Sequence, residues 1–358
     1  MAYTTVDNPE LFFQAKTYTG TNSSTAFILD GSENMQPDLV WLKVRSAGSG
    51  QDHTLYDSVR GATKFIESNT SNAEATGSNY LTSFDSNGFT LGNDQSHVNA
   101  SGDTYVSWNW KAGGSASANS DGSTASSVSV NTDSGFSIVS YTGAGATTYG
   151  HGLNATPNVI IIKKRTSDSG NNNWFVYHDK VITAGGSNKS FLTLNETGAL
   201  TSNGSATTFT SVSSATFGVG TDNIISESSH EFIAYVFAEK KGYSKFGSYT
   251  GNGNANGTFV YTGFKPAFVL GKRTDSGGGW WILDSKRSGG FNLNDEYLLA
   301  NDSQTEADDG SFASDFLANG WKARATNGNF NASGGSYIFA AFSENPFVTS
   351  SGVPATAR

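Results

Sequence analysis

The chain has 358 residues, of which 22 are basic and 31 acidic, and its formal net charge is −9. This acidic balance disfavours a nucleic-acid-binding protein, which needs a basic surface for the phosphates. No apolar run approaches the roughly 20 residues of a membrane-spanning helix, and the N-terminus lacks the pattern of a signal peptide. Cysteine is absent, which excludes disulfides and cysteine-bound zinc. We expect no cofactor and no metal.

The composition is typical of an all-β protein with polar loops. Charged residues make up 15% of the chain, against 24 Phe, 14 Tyr, 7 Trp and 42 Gly. This balance favours strands joined by turns, and it is more typical of secreted, surface or virion proteins than of cytoplasmic enzymes. One short helix is predicted over residues 8–16, where Pro9 suits a first turn and Leu11, Phe12 and Ala15 share a face.

A Tyr-Thr-Gly turn recurs at Tyr18, Tyr141 and Tyr249, each time ahead of the same pattern. After each turn a proline opens an apolar run, and the sixth residue beyond that proline is a lysine: Lys43, Lys163 and Lys272. The spacing is that of a domain rather than of a solenoid turn. The chain is therefore predicted to contain three tandem β-sandwich modules with antiparallel sheets. The predicted boundaries are 1–112, 135–241 and 242–346 for the modules, 113–134 for a flexible Gly/Ser-rich linker, and 347–358 for a C-terminal arm.

The last strand of each module shows which face is predicted to be buried. In the first module Val106, Trp108 and Trp110 alternate on one side, and the same positions in the other modules hold Ile233, Tyr235 and Phe237, then Ile338, Ala340 and Phe342. That side is predicted to be the core. The opposite side is polar in the first module but apolar in the other two. We therefore expect these two strands to be covered on both sides, by curvature of the sheet or by a neighbouring subunit.

Three segments of the chain resemble a known family: residues 242–253, residues 261–275 and residues 341–347. They are similar to repeat-containing structural proteins of marine tailed phages, which are described as concanavalin A-like or tail-fibre-like. The resemblance covers most of the chain and is best in the third module. It implies a virion protein, on an extracellular particle, built from jelly-roll, lectin-like β-sandwiches. It carries over no catalytic residues.

Exposed aromatic rings can stack on the apolar faces of sugars while neighbouring polar groups bind the hydroxyls. The candidate ligand-binding residues are Trp280, Trp281, Asp284, Arg273 and Trp174. Trp280 and Trp281 are adjacent, so in a strand they point to opposite faces and one of them could lie outside the core. Core packing is the alternative for each tryptophan. The basic residues that end the apolar runs could meet an anionic glycan, a neighbour's carboxylates or solvent.

Asp57, Asp179 and Asp284 each follow an aromatic strand. A recurring carboxylate of this kind could act in glycoside hydrolysis or bind sugar, or it could accept hydrogen bonds in a strand-end turn. The five histidines have no metal-binding or catalytic spacing, and residues 308–310 lack the ligand spacing of an EF-hand. No nucleophile elbow, phosphate-binding loop or dinucleotide fingerprint is present. The sequence therefore predicts a protein that is not an enzyme.

The leading hypothesis is a phage virion structural protein, a tail fibre or a similar appendage that contacts the host cell. Its predicted partners are other virion proteins and a host-surface glycan, and repeated modules would raise the avidity for such a glycan. A homo-oligomer is expected, with a trimer favoured because fibres are usually trimeric. One alternative is a capsid or tail decoration protein without a ligand. Another is a depolymerase that acts on host polysaccharide.

Overall fold

The computed structural model describes residues 6–46, 50–167, 172–185, 190–202, 208–221 and 223–343. Nearly all regular structure in these ranges is β, in antiparallel sheets that pack face to face. The prediction of an all-β sandwich fold is confirmed. No helix in this part of the chain is long and apolar enough to cross a membrane. The predicted arm, 347–358, lies outside the described residues.

Module 1, defined as residues 6–112, contributes two sheets in its described part. Its strands are β1 (Phe13–Thr19), β2 (Thr25–Ile28), β3 (Leu39–Val44), β4 (Thr54–Asp57), β5 (Lys64–Glu67), β6 (Ala75–Thr76), β7 (Leu81–Asp85), β8 (Gly88–Leu91) and β9 (Thr104–Trp110). The larger sheet, named the inner sheet, has the order β1-β9-β3-β4-β5-β6. The smaller one, named the outer sheet, has the order β2-β8-β7.

The helix predicted over residues 8–16 is wrong beyond its first turn. Only Pro9–Leu11 is helical, as a 3-10 turn capped by the Asn8 side chain, which accepts a backbone hydrogen bond at 3.1 Å. From Phe13 the chain pairs with β9, and this pairing buries Phe13 and Ala15 together. Tertiary pairing therefore overrides the short helical pattern.

Module 2, defined as residues 113–241, repeats the arrangement within its described ranges. Its strands are β10 (Ser117–Asn119), β11 (Ser126–Asn131), β12 (Phe136–Thr142), β13 (Thr147–Gly150), β14 (Val159–Lys164), β15 (Trp174–His178), β16 (Leu192–Thr193), β17 (Phe209–Val212), β18 (Thr216–Val219) and β19 (Glu231–Phe237). The inner sheet has the order β10-β11-β12-β19-β14-β15-β16, and the outer sheet has the order β13-β18-β17. A 3-10 turn spans Asn223–Ile225.

The segment 113–134, predicted to be a flexible linker, contains β10 and β11 and is corrected accordingly. Both strands extend the inner sheet of module 2 beyond β12. Val128 pairs with Val139 and packs into the core of that module, and the Ser126 hydroxyl donates to the carbonyl of Gly150 at 2.9 Å. The composition conceals this strand because β11 has only two apolar residues, Val128 and Val130, among its serines.

Module 3, defined as residues 242–343, completes the described chain. Its strands are β20 (Ser244–Thr250), β21 (Phe259–Tyr261), β22 (Pro266–Arg273), β23 (Trp281–Asp284), β24 (Leu298–Leu299), β25 (Ser314–Leu317), β26 (Gly320–Ala323) and β27 (Ser336–Ser343), with a short α-helix at Gly328–Asn331. The inner sheet has the order β20-β27-β22-β23-β24, and the outer sheet has the order β21-β26-β25.

The repeated Tyr-Thr-Gly turn has a structural role. The hydroxyls of Tyr18, Tyr141 and Tyr249 donate to the carbonyls of Val98, Ile225 and Phe330, at 2.8, 2.8 and 2.6 Å respectively. The glycine of each turn lies so close to a facing carbonyl that a Cβ atom would be 2.0–2.3 Å from its oxygen. The signature is therefore repeated because it fastens the strand that pairs with the last strand of each module (β1, β12 or β20) to the loop before that last strand.

Each inner sheet packs against the outer sheet of its own module around a sandwich core, and the three inner sheets meet in a central core. The central core contains the face that was predicted to be buried, including Trp108, Tyr235 and Phe342. The opposite face of the same strands lies in the sandwich cores, with Phe232 and Phe339 among its residues. The second cover is therefore supplied by the other modules of the same chain, and neither sheet curvature nor a neighbouring subunit is needed for it.

Candidate functional site

Trp174 and Trp280, which were predicted to bind a ligand, lie in the central core and are 0% and 3% exposed. Each indole N–H donates to a carbonyl of another module, Trp174 to Glu67 at 2.8 Å and Trp280 to Thr193 at 2.8 Å. They therefore join modules and present no ring face to a ligand. The prediction is wrong for both residues because the neighbouring modules cover a face that an isolated sandwich would leave open.

His53 occupies the corresponding position in module 1. Its Nδ1 accepts from the indole of Trp41 at 2.9 Å, so Nε2 carries the proton and donates to the carbonyl of Leu299 at 3.1 Å. Burial lowers the pKa of His53 well below its ordinary value. The three acceptor carbonyls, of Leu299, Glu67 and Thr193, occupy matching places in β24, β5 and β16. The contacts run from module 1 to 3, from 3 to 2 and from 2 to 1, which closes a head-to-tail ring.

The repeated lysines belong to the same ring. Lys43, Lys163 and Lys272 are at most 1% exposed. Their ammonium groups donate to carbonyls of the next module: Ser303 (2.9 Å), Ser71 (3.3 Å) and Thr197 (3.0 Å), respectively. Burial lowers the pKa of Lys43 and of Lys272 to about 8. None of the three is a solvated strand end or is placed to meet an anionic glycan.

Trp281 lies on the opposite face of β23 from Trp280, as the alternation predicts, but it is also fully buried. It belongs to the sandwich core of module 3 and packs edge-on against Trp321 and Phe330, with ring centroids 5.7 and 4.9 Å away. The inner sheet is covered on both faces, so neither tryptophan of the pair reaches the surface. The prediction of Trp281 as a ligand-binding residue is wrong for the same reason as that of Trp280.

Asp284 is fully buried in an ion-pair network at the junction of modules 3 and 1. Its Oδ2 accepts from the Nε of Arg287 and, at 3.0 Å, from the indole of Trp108. Arg287 also pairs with Glu306 at 2.9 Å, and Glu306 pairs with Arg45 of module 1 at 2.7 Å. Every partner of this carboxylate is internal. Asp284 is therefore a structural residue and cannot reach a sugar.

The junction of modules 2 and 1 repeats the network. Asp57 pairs with Arg60 and accepts from the hydroxyl of Tyr235 at 2.8 Å. Arg60 lies 3.5 Å from Glu74, which pairs with Arg165 of module 2 at 2.9 Å. Asp57 is 0% exposed. Of the two roles considered for the recurring carboxylates, the buried geometry favours the structural one, since the backbone N–H groups of residues 59 and 60 also bind Asp57.

The junction of modules 3 and 2 has no such network among its described residues. The strand registers pair Val159 with His178, as they pair Leu39 with Asp57 and Phe268 with Asp284. His178, rather than the predicted Asp179, is therefore the counterpart of the two aspartates. The glutamate of the other junctions is replaced by Leu200, whose N–H donates to the carbonyl of Thr274 at 3.0 Å. This backbone hydrogen bond between modules is therefore present at all three junctions, whereas the ion-pair network is present at two.

Arg273 is the remaining predicted site residue, and it lies at the surface. Its guanidinium pairs with Asp275 at 2.9 Å and donates to the carbonyl of Gly328 at 2.9 Å. The hydrogen bond from Arg273 holds the pKa of Asp275 below its ordinary value. Arg273 is thus engaged in holding a loop of module 3, and none of the other four predicted residues lies beside it at the surface.

No described group of three or more His, Asp or Glu side chains could hold a metal ion. The central core encloses a cavity of about 40 Å³ lined by apolar side chains such as Trp41, Phe268 and Phe342. An apolar space of this size offers no hydrogen-bonding partner to water or to a polar ligand. The central core is therefore a structural feature rather than a binding site.

The outer sheet of module 3 carries a feature that the sequence reasoning missed. On β21 the aromatic rings of Phe259 and Tyr261 face outward and are 44% and 58% exposed, while Val260 between them points into the core. Their partners on β26 are Lys322 and Gly320. A Cβ atom at Gly320 would lie 3.1 Å from the ring of Phe259, so this ring lies across the glycine. We name Phe259, Tyr261, Gly320 and Lys322 the aromatic face.

Apolar side chains continue along the far edge of the same sheet. Asn292 accepts from the N–H of Phe316 at 2.8 Å and donates to its carbonyl at 3.2 Å, so its segment lies beside β25. The flanking residues Phe291 and Leu293 are 79% and 45% exposed. Of the large hydrophobic side chains exposed in the described residues, only Ile28 lies outside module 3. The outer sheet of module 3 is therefore apolar at both edges.

A polar groove adjoins the aromatic face. It has a volume of about 400 Å³ and is lined by Ala255, Asp309, Gly310, Ser311, Arg324, Ala325, Thr326 and Asn327. Arg324 lies two residues beyond Lys322 and pairs with Asp315 at 3.5 Å, while Lys322 donates to the Asn256 side chain at 2.5 Å. The groove therefore lies beyond the end of β26 at which Lys322 is paired with Phe259, and Tyr261 lies at the opposite end of β21.

The other two outer sheets serve as internal references for this surface. The strand registers place Phe27 and Tyr149 where module 3 has Val260, all three pointing inward. The outward neighbours are Ala26 and Ile28 in module 1, and they are Thr148 and Gly150 in module 2. The sandwich thus forms without outward aromatic rings in two of its three copies.

One family model matches residues 8–346, and its description is a domain of unknown function, DUF7483. The chain belongs to this family. A single model spans all three modules, which agrees with a structure in which they share one core. No curated protein and no solved structure matches the chain. Membership of the DUF7483 family assigns no activity, so function has to be argued from the geometry.

Proposed function

We propose that the protein is a non-enzymatic structural protein of a phage particle, a tail fibre or similar appendage that contacts the host cell surface. The observation that carries this proposal is the joining of three modules into one body that exposes aromatic rings on a single outer sheet. Its lectin-like, jelly-roll character and its place on the particle follow from the resemblance of residues 242–253 and 341–347 to phage structural proteins. Other virion proteins and a host glycan are its proposed partners.

The ring of modules supports a mechanical role. Apolar packing supplies the main stabilisation of the central core, and the buried lysines and ion pairs add directional contacts at the junctions. Buried ion pairs contribute little net stability compared with apolar packing, but removing one partner is costly. Such contacts fix how the modules are oriented, which suits a protein that must present one surface outside a particle.

The depolymerase alternative is disfavoured by the same buried networks. Glycoside hydrolysis uses two carboxyl groups that flank an accessible glycosidic bond. Asp57 and Asp284, the recurring carboxylates, are 0% exposed and each is paired with a buried arginine. Reducing ends released from host polysaccharide by the purified protein would contradict the non-enzymatic proposal.

The alternative of a capsid or tail decoration protein differs from the host-contact proposal in the partner of the exposed aromatic rings. In a decoration protein, that partner would be another virion protein. The expected homotrimer is a separate question, because the two-sided strands are covered within one chain and need no second subunit. The trimer remains a prediction from the fibre analogy. Light scattering after size-exclusion chromatography would give the mass of the protein in solution. A monomer would contradict the predicted trimer, but it would be consistent with the ring of three modules within one chain.

Immunogold electron microscopy of purified phage particles tests the proposal, with an antibody raised against this protein. Gold at the tail or its fibres is the expected result. Gold over the capsid shell would favour the decoration protein. An absence of gold from every purified particle would overturn the virion proposal.

A further inference from the structure

We propose that the aromatic face and the polar groove of module 3 form a carbohydrate-binding site, which takes the pyranose rings of an uncharged polysaccharide. This inference rests on the proposed host contact and names the surface that makes it. In this site Phe259 and Tyr261 are the stacking platform and Lys322 is the polar residue paired beside Phe259. Arg324 and Asn327 are polar groups of the groove beyond Lys322.

The platform is held in place before any ligand arrives. Phe259 and Tyr261 are two residues apart on one strand, so their side chains leave the sheet in the same direction at a separation of about 7 Å. β21 is paired with β26 over its whole length. Because the strand fixes the positions of both rings, binding requires little ordering of the protein. Gly320 keeps the surface beside Tyr261 free of a side chain and leaves room for the Phe259 ring.

The chemistry beside the rings matches a sugar better than a protein partner. Sugar hydroxyls both donate and accept hydrogen bonds, and the groove offers Asn and Ser side chains together with carboxylate and guanidinium groups. The cations Lys322 and Arg324 are balanced by Asp309 and Asp315, so the site carries no excess of either sign. This balance fits an uncharged ligand, whereas the protein as a whole has a net charge of −9.

The repeats argue that the rings are there for a ligand. Modules 1 and 2 build the same outer sheet with Ala26 and Ile28, or with Thr148 and Gly150, at the outward positions. Folding therefore does not require aromatic side chains there. Exposed apolar patches on a soluble protein mark binding surfaces, and this one occurs where hydrogen-bonding groups adjoin it.

Affinity electrophoresis of the full chain tests the proposal, in native gels that contain dextran, mannan, laminarin, xylan or galactan. We expect at least one of these polysaccharides to retard the protein, and its free monosaccharide to reverse the effect. The double variant Phe259→Ala/Tyr261→Ala should weaken the binding about tenfold or more, since it removes both rings of the stacking platform. The matched control, Ile28→Ala in module 1, should bind as the unchanged protein does.

Three results would overturn the inference: no retardation by any of the five polysaccharides, equal retardation of the double variant, or equal loss in the Ile28→Ala control. Self-association that the double variant abolishes, without polysaccharide binding, would assign the face to a second copy of the chain. Gold label at the tail without polysaccharide binding would sink this inference and leave the proposed function standing. Polysaccharide binding without gold label on any particle would support the carbohydrate-binding site and overturn the proposed virion function.

Discussion

The junctions on the two sides of module 1 carry buried ion pairs. The matching positions at the junction of modules 3 and 2 hold His178, Val181, Leu200 and Thr274, which form no such network. Asp57 and Asp284 each pair with an arginine, and His178 stands in their place at the third junction. All three junctions nevertheless share the buried lysine and the ring N–H that donates to a carbonyl of the next module.

The comparison distinguishes two kinds of contact. The lysine and ring N–H contacts occur at all three junctions and close the ring of modules, whereas the buried ion pairs occur at only two. The shared contacts give acceptors to the buried ammonium groups and ring N–H groups, whose burial without a partner would be costly. The ion pairs are dispensable, since one junction does without them. We infer that they specify which module lies next to which, a role of buried polar groups that is known from other assemblies. Three substitution experiments test this difference between the junctions.

Breaking one charged junction should have the largest effect. Arg287→Ala leaves Asp284 buried without its cation and leaves Glu306 paired with Arg45 alone. Removal of one partner of a buried pair costs about 3–5 kcal/mol. Denaturant unfolding measures the free energy of unfolding. The control is Asp179→Ala, because Asp179 is partly exposed and outside both networks. A loss below about 1 kcal/mol for Arg287→Ala would contradict the assigned role.

Replacing all four members of that ion-pair network should destabilise the protein less than removing Arg287 alone. The combined variant Asp284→His, Arg287→Val, Glu306→Leu and Arg45→Thr installs the residues that the third junction has. Replacing a whole buried network leaves no charge without its partner, whereas removing one member does. The combined variant should therefore unfold with a higher free energy than Arg287→Ala alone. If the four changes together cost more than the single one, the charges are needed for closure and not only for order.

The junction of modules 3 and 2, which lacks the ion-pair network, should be sensitive to acid through His178. Burial lowers the pKa of His178 to about 4, although Asp179 opposes this and Lys180 adds to it. In the unfolded chain its pKa is about 6.5. Between these values the unfolded state binds the extra proton, so this contribution to stability is complete above about pH 6.5 and is lost as the pH falls towards 4. His178→Gln should flatten the dependence of the unfolding free energy on pH in that window.

His53 is also buried and its pKa is lowered, so His178→Gln should leave part of the acid dependence in place. His230→Gln is the control, since His230 lies at the edge of module 2 and outside the junctions. An unchanged slope in His178→Gln would show that acid acts elsewhere. The same slope change in both variants would remove the link to the junction.

The sequence predicts the all-β class, the threefold repeat and the alternation of the last strands, because these depend on local patterns. It could not assign Trp174 or Trp280 to the central core, since that core exists only where three modules meet. Nor could it show that β11 is a strand, because Val128 and Val130 are too few to stand out among serines. The alternating sequence Phe-Val-Tyr of β21 does not show by itself whether the two rings point to solvent or into the core. That depends on which face of the outer sheet packs against the inner sheet.

The smallest effect on stability is expected at the aromatic face, where the strand itself provides the comparison. Tyr261 is 58% exposed and Val260 is 5% exposed, although they are adjacent in β21. Tyr261→Ala should change the unfolding free energy by no more than about 0.5 kcal/mol, as most surface substitutions do. Val260→Ala removes buried methyl groups and should cost about 2 kcal/mol.

Polysaccharide retardation measured on the same two variants should show the opposite order. Tyr261→Ala should weaken it, while Val260→Ala should keep it as long as the protein is folded. An outward aromatic residue that costs nothing to remove from the fold but abolishes binding is one that the fold does not need. Equal stability losses in the two variants would mean that Tyr261 is part of the packing of module 3, and the difference between its outer sheet and those of modules 1 and 2 would then concern stability rather than a ligand.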